Sequence, residues 1–208
     1  MSKPNFEREN KLSACGSLYI ITGASGVGKG TIYDALLKMD IGLNKSISVT
    51  TRSPRVCEQH GVHYYFYTVE QFEQALAQDH FLEYAMVYGN YYGTPKHVVL
   101  DNLARNQDTI LEIDLDGAQQ IKSKYQDAVW IFIVPPDFKT LMHRLHSRNT
   151  DDEDTKQLRL SLYEKEMEVG RLADYVVVND QLQQCLDIIV DIIQSKRKQN
   201  SPNDLLLS

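Results

Sequence analysis

The chain has 208 residues, 42% of them hydrophobic and 24% charged, with a formal net charge of −6. This length and balance suit one soluble α/β domain with a core of its own, and the negative charge argues against general electrostatic binding of nucleic acid. The three cysteines, Cys15, Cys57 and Cys185, form no C-x-x-C pair, which excludes a zinc site or disulfide framework on that pattern and fits reduced thiols.

Residues 1–15 are polar and charged without an apolar run. They read as a mobile tail rather than a signal peptide, and no later segment has the length of a membrane span. A cytoplasmic protein with no membrane partner is therefore expected. The first strand signal is Leu18–Thr22. Directly after it comes GASGVGKGT, from Gly23 to Thr31, and then a helical pattern over Thr31–Met39. Gly23, Gly28 and Lys29 fit the G-x-x-x-x-G-K spacing, with Ala24, Ser25, Gly26 and Val27 between them. A strand, a glycine-rich turn and a helix start in this order cradle a nucleotide polyphosphate. Glycines let backbone N–H groups converge on phosphate oxygens, the helix N-terminus adds unpaired N–H groups, and Lys29 supplies a cation. Gly30 stands where Ser or Thr usually follows the lysine, so the hydroxyl is displaced to Thr31.

Strand signals follow at Ser46–Val49 and Val62–Tyr67, with a helical pattern over Val69–Gln78. Between them lies Ser48-Val49-Thr50-Thr51-Arg52-Ser53-Pro54-Arg55. Two arginines three apart on a proline turn can grip one phosphate from two sides, because the planar guanidinium makes paired hydrogen bonds to an oxyanion. The stretch from about 48 to 94 is rich in tyrosine (Tyr64, Tyr65, Tyr67, Tyr84, Tyr88, Tyr91 and Tyr92) and reads as a small β-rich insertion. Strand signals return at Thr109–Ile113, Val129–Val134 and Tyr175–Val178. Helical patterns cover Gly117–Lys124, Asp137–His146, Lys156–Leu172 and Gln181–Lys198. A charged, apolar-poor segment at about 147–155 reads as an exposed lid. Strands alternating with helices predict right-handed βαβ units and a mostly parallel sheet covered on both faces. The domain is expected over 16–197, with its core in 16–47 and 95–197, and a tail over 198–208.

With GASGVGKGT, SVTTRSPR (48–55), HGVHYYF (60–66), FLEYAMVYGNYYGT (81–94), LEIDLDGAQQI (111–121), HRLHSRNTD (143–151) and VVVND (176–180) in this order, the chain resembles the guanylate kinase family. The ordered set runs from about Gly16 to Arg197. The resemblance implies a P-loop NTPase-type α/β fold with a GMP-binding insertion and a lid. It further implies transfer of the ATP γ-phosphoryl group to GMP, with ATP, GMP and magnesium as small-molecule partners. It assigns Ser48, Arg52, Arg55, Tyr64 and Tyr92 to the GMP phosphate, Glu83 to guanine N1–H and the 2-amino group, Thr94 to O6, and Asp114 to support of the amino group. Residues 23–31 take the ATP phosphates. Arg144 flanks adenine and Asn179 lies near the adenine edge. Lys29, Arg52, Arg148 and Arg159 act on the transferring group. Magnesium is assigned to Thr31 and Glu112, directly or through water.

Several positions depart from the family pattern. Ala24 replaces a common proline, Glu112 a common aspartate, and Asn149 a common glycine. Two other readings compete. Guanylate-kinase-like domains in scaffold proteins bind partners without catalysis, although those usually have a degraded P-loop. A kinase for a different phosphorylated acceptor would also carry the two phosphate motifs.

Overall fold

The computed structural model describes residues 16–146 and 163–200. The core is a five-stranded sheet of β1 (Leu18–Gly23), β2 (Leu43–Lys45), β7 (Asp108–Glu112), β8 (Val129–Val134) and β9 (Tyr175–Val178) in the spatial order β2-β7-β1-β8-β9. Every pairing is parallel, with Ile20 opposite Leu111 on one side and Trp130 on the other. All six residues of β1 and of β8 are buried, the pattern expected where both sheet faces are covered. The period of two then sorts the side chains. Tyr19 and Ile21 join one apolar layer with α1 (Lys29–Lys38) and α7 (Leu182–Gln199), while Leu18 and Ile20 join the opposite layer with α4 (Leu115–Lys124). Trp130 lies in that second layer, and its indole N–H donates to Thr22 Oγ1 at 2.7 Å, so the buried polar atom is satisfied.

A second sheet of four strands stands beside the core. It is built from β3 (Val49–Thr50), β4 (Tyr65–Phe66), β5 (Phe81–Val87) and β6 (Asn90–Pro95) in the order β4-β3-β6-β5. β5 and β6 form a hairpin across Tyr88-Gly89, both with positive φ (48° and 77°), as a type I′ turn requires. Helix α2 (Val69–Ala77) opens on a capping box between Thr68 and Gln71. Its Phe72 stacks on Phe81 at 4.4 Å and on Tyr91 at 4.9 Å between ring centres, forming a separate small core. Helix α4 ties this sheet to the core. Gln120 of α4 donates to Tyr84 O at 2.7 Å and accepts from Tyr84 N at 3.3 Å.

Two expectations change, and one helix comes without a signal. The strand expected over Ser46–Val49 is not formed: residues 46–48 cross from β2, which no signal marked, to β3, and of the expected residues only Val49 lies in a strand. The strand expected over Val62–Tyr67 shrinks to the two residues of β4, because residues 60–64 turn back on themselves and Gly61 N–H donates to Tyr64 O. Helix α3 (Lys96–Ala104) had no clear signal, since Val98, Val99, Leu100 and Leu103 follow neither period cleanly. Of the helix expected over Lys156–Leu172, residues 163–170 are helical and form α6. Helix α5 (Phe138–His146) falls where the pattern placed it.

Candidate active site

β1 ends at Gly23, and the chain loops through residues 24–28 into α1. Gly28 caps that helix in the left-handed region (φ 94°), and Gly26 is left-handed as well (φ 88°). A Cβ on Gly23 would stand 2.4 Å from Ile133 O, so the loop passes against β8 closely enough to exclude any side chain. Ala24 and Val27 turn inward and are buried, which anchors the loop in the core. Lys29 lies across it, its Nζ donating to Gly23 O at 2.6 Å and Ala24 O at 3.2 Å. Gly23, Ser25 and Lys29 face a cleft of about 850 Å³.

The same cleft reaches the small sheet, where Ser48, Arg52, Arg55, Tyr64 and Tyr92 line it. Arg52 is tightly held. Its Nε donates to Tyr92 Oη at 3.2 Å, Nη1 to Ser53 O at 2.7 Å, and Nη2 to both oxygens of Glu58 at 2.9 and 3.0 Å. Its guanidinium carbon stands 5.6 Å from the centre of the Tyr64 ring. Burial, followed by the charge of Glu112, pushes the Tyr64 phenol up to about 12, so it stays a neutral donor.

Glu83 on β5 lines the cleft wall, 4% exposed, opposite Thr94 in the β5–β6 register. Thr94 Oγ1 donates to Glu83 Oε1 at 2.5 Å. Burial pushes the Glu83 carboxyl up to about 7, with Asp114 adding to the rise and the Thr94 hydroxyl opposing it. Asp114 caps α4 and accepts from Gly117 N–H at 2.7 Å. Burial raises its own pKa too. Two carboxylates at one cleft wall, each short of donors, form an acceptor-rich surface suited to a ligand edge that carries adjacent N–H groups.

The other expected site residues are placed differently. Thr94 is fully buried, and its hydroxyl proton goes to Glu83 rather than toward the cleft. Gly26, Val27, Gly28, Gly30 and Thr31 do not reach the cleft lining, and Thr31 is exposed on α1. Asn179 is buried and donates from Nδ2 to Val27 O at 2.7 Å, and Arg144 Nη1 donates to Asn179 O at 3.0 Å. These two residues brace the phosphate loop from its outer side. Glu112 does line the cleft, and a Cβ on Gly30 would stand 3.7 Å from each of its carboxylate oxygens. The longer acid therefore reaches toward the place where the common Ser or Thr would stand. Arg148, Arg159, Asn149 and the lid at about 147–155 lie outside the described residues.

Three residues escaped the sequence reading. Glu58 was hidden in a polar loop, although a carboxylate three places after Arg55 and six after Arg52 is a usable signal. Gly117 makes room for Glu83, because a Cβ there would stand 2.3 Å from Glu83 Oε2. A glycine just inside a helix whose N-cap is already an aspartate is the hint. Lys165, on α6, adds a cation to the cleft.

Among known proteins, the guanylate kinase family model matches residues 16–196. A guanylate kinase of Syntrophomonas wolfei is 46% identical over 182 residues, covering 88% of this chain and 93% of that one. One from Neisseria gonorrhoeae is 46% identical over 186 residues, covering 89% and 91%. The crystal structure of guanylate kinase from Anaplasma phagocytophilum superposes with a TM-score of 0.73 at 30% identity, covering 89% of this chain and 88% of that one.

Proposed function

The chain belongs to the guanylate kinase family and is a nucleoside monophosphate kinase, and from this premise we propose that the cleft takes ATP and GMP and yields ADP and GDP in the manner set out below. The observation that carries the reading is the shared cleft. Gly23, Ser25 and Lys29 of the phosphate loop, Arg52 and Arg55 of the turn after β3, and Glu83 of β5 all line it.

In this reading the nucleophile is an oxygen of the GMP phosphate, whose second pKa of about 6 leaves it largely ionised at neutral pH. No general base is needed. The oxygen attacks the γ-phosphorus, the bond from that phosphorus to the β–γ bridging oxygen breaks, and ADP leaves with the electron pair. Catalysis then rests on alignment of two anions and on cancelling their repulsion. Lys29 and the loop amides hold the donor, Ser48, Arg52, Arg55, Tyr64 and Tyr92 hold the acceptor phosphate, and Glu83 with Asp114 reads the guanine edge. Arg148 and Arg159 are assigned to the moving phosphoryl group by resemblance alone. The segment 48–94 acts as the acceptor-binding insertion.

Magnesium is the expected companion of ATP. Among the described residues no group of three or more His, Cys, Asp or Glu could hold a metal. That suits an ion which keeps its waters and phosphate oxygens and takes only one or two carboxylates. Glu112 fits as that carboxylate, facing the first turn of α1 beside Gly30. Thr31 would act only through water. When bound, the ion supplies charge neutralisation across the β- and γ-phosphates. No helix among the described residues is long and apolar enough to cross a membrane, and we place the enzyme in the cytoplasm.

A coupled ADP-release assay offering GMP, dGMP, AMP, UMP and CMP separately tests this reading. Turnover with GMP far above AMP, UMP and CMP is expected. No turnover with any acceptor, or turnover with AMP or UMP alone, would overturn it.

Two further outcomes follow from the site. Guanine donors need an ionised Glu83, whose carboxyl lies near 7 in the free protein. The logarithm of 1/KM for GMP should therefore still rise with pH at a slope of about one between about 6 and 7, after the phosphate has ionised, and level off above 7. A profile that levels near pH 6, following the phosphate alone, would contradict the assignment. The same shift has a stability consequence. A raised carboxyl pKa makes the free fold lose stability as pH rises from 4.5 through 7, and bound guanine should restore it. Second, Gly117→Ala forces the Glu83 carboxylate aside. It should raise KM for GMP by on the order of 10²-fold, since ångström misplacement in a site costs about that much, and should leave KM for ATP unchanged. Steady-state kinetics with each substrate varied in turn would check it.

A further inference from the structure

Glu58 is not among the residues that line the cleft, yet it holds the two that should matter most for an acceptor phosphate. Both of its carboxylate oxygens accept from Arg52 Nη2, at 2.9 and 3.0 Å, and Oε2 also accepts from the backbone N–H of Arg55 at 2.7 Å. Its own backbone N–H donates to Arg55 O at 3.0 Å. One side chain thus pins a guanidinium and the backbone carrying the next one. The turn that brings it there passes through Cys57 at φ 75°, in the left-handed region where glycine is usual.

We infer that Glu58 is a positioning residue for GMP, setting the orientation of Arg52 and its spacing from Arg55 before the phosphate arrives. The inference rests on the reading of Arg52 and Arg55 as the acceptor clamp. Three physical points support it. The pair is half-buried, with both side chains 16% exposed, so the contact is screened less than a rim ion pair would be. Arg52 is fixed at every nitrogen, by Tyr92, Ser53 and Glu58. An arginine already frozen loses little further freedom when a ligand docks, and such preorganisation lowers the cost of binding. The carboxylate is also ionised in use: burial pushes its pKa up, but the hydrogen bonds from Arg52 and Arg55 outweigh that and hold it low.

The opposite role would be competition, with Glu58 occupying donors that the phosphate needs. Placement argues against it. Arg52 and Arg55 line the cleft while Glu58 does not, so a ligand there meets the arginines and not the carboxylate.

A double-mutant cycle in the full-length enzyme decides. Glu58→Ala should raise KM for GMP about tenfold, with kcat changed less than about threefold and KM for ATP unchanged, the split expected of lost ground-state positioning. Glu58→Gln keeps the volume and one acceptor oxygen, and should shift KM the same way by about threefold. In an Arg52→Ala background, Glu58→Ala should add less than about twofold, because coupled residues are non-additive. Unchanged or lowered KM for GMP in both Glu58 variants would overturn the inference. So would an undiminished tenfold effect without Arg52. If Arg52→Ala alone leaves KM for GMP unchanged, it is the clamp reading that fails. Thermal melts of each variant separate these effects from simple unfolding.

Discussion

Glu83→Gln lowers kcat/KM for GMP by on the order of 10³-fold or more, the scale on which a site built around one hydrogen-bonding pattern rejects a mismatch. An ionised carboxylate presents two acceptors to the adjacent N1–H and 2-amino donors of guanine. A glutamine presents one acceptor and one NH₂ group, so one donor on each partner faces another donor. The protein cannot relax around the change. Glu83 is 4% exposed, Thr94 already donates to Oε1, and Gly117 packs against Oε2. The unmatched group therefore stays buried and unsatisfied, which costs more than an absent contact. KM for ATP should hardly move, and the rise of 1/KM for GMP toward pH 7 should disappear along with the titrating group. A loss below tenfold, or retention of the pH dependence, would show that guanine is read elsewhere.

Lys29→Ala is expected to lower kcat by on the order of 10³-fold, within the range for removing a cation that stabilises a transferring phosphoryl group. The lysine is already aimed: its Nζ spans the carbonyls of Gly23 and Ala24 across the loop mouth. A phosphate entering the loop meets an ammonium in position, with little reorganisation needed at the moment of reaction. Lys29→Met keeps the aliphatic stem and should lose nearly as much, because the stem is not the working part. GMP affinity measured by calorimetry without ATP should change far less than kcat, since in this reading Arg52, Arg55 and Glu83, not Lys29, hold GMP. Activity within tenfold of the parent would remove Lys29 from the donor site.

The donor side was legible in the residues because its parts are contiguous. Strand, loop and helix start follow one another over Leu18–Lys38, and the glycines fall where the backbone turns left-handed. β8 and β9 were equally plain, each bounded as its apolar run predicted. The crossing at Ser46-Ile47-Ser48 was not, because these residues join strands of two different sheets and belong to neither, which only packing decides. Glu83 could be singled out by its apolar neighbours, but its shift toward 7 needs the burial and the nearby Asp114 that assembly creates. Thr94 illustrates the limit. The sequence assigns its hydroxyl to a ligand, while the β5–β6 register turns that hydroxyl onto Glu83.

Periodicity, glycine spacing and the order of polar motifs are properties of neighbouring residues, and they were enough to specify a parallel α/β core, a polyphosphate loop and a paired-arginine turn. Convergence is a property of distance in space. It took the packed chain to set Glu83 against Gly117, 34 positions on, to bring Glu112 beside Gly30, and to turn Glu58 back onto Arg52. Burial and charge then act on whatever has been brought together, and neither can be computed before the neighbours are known.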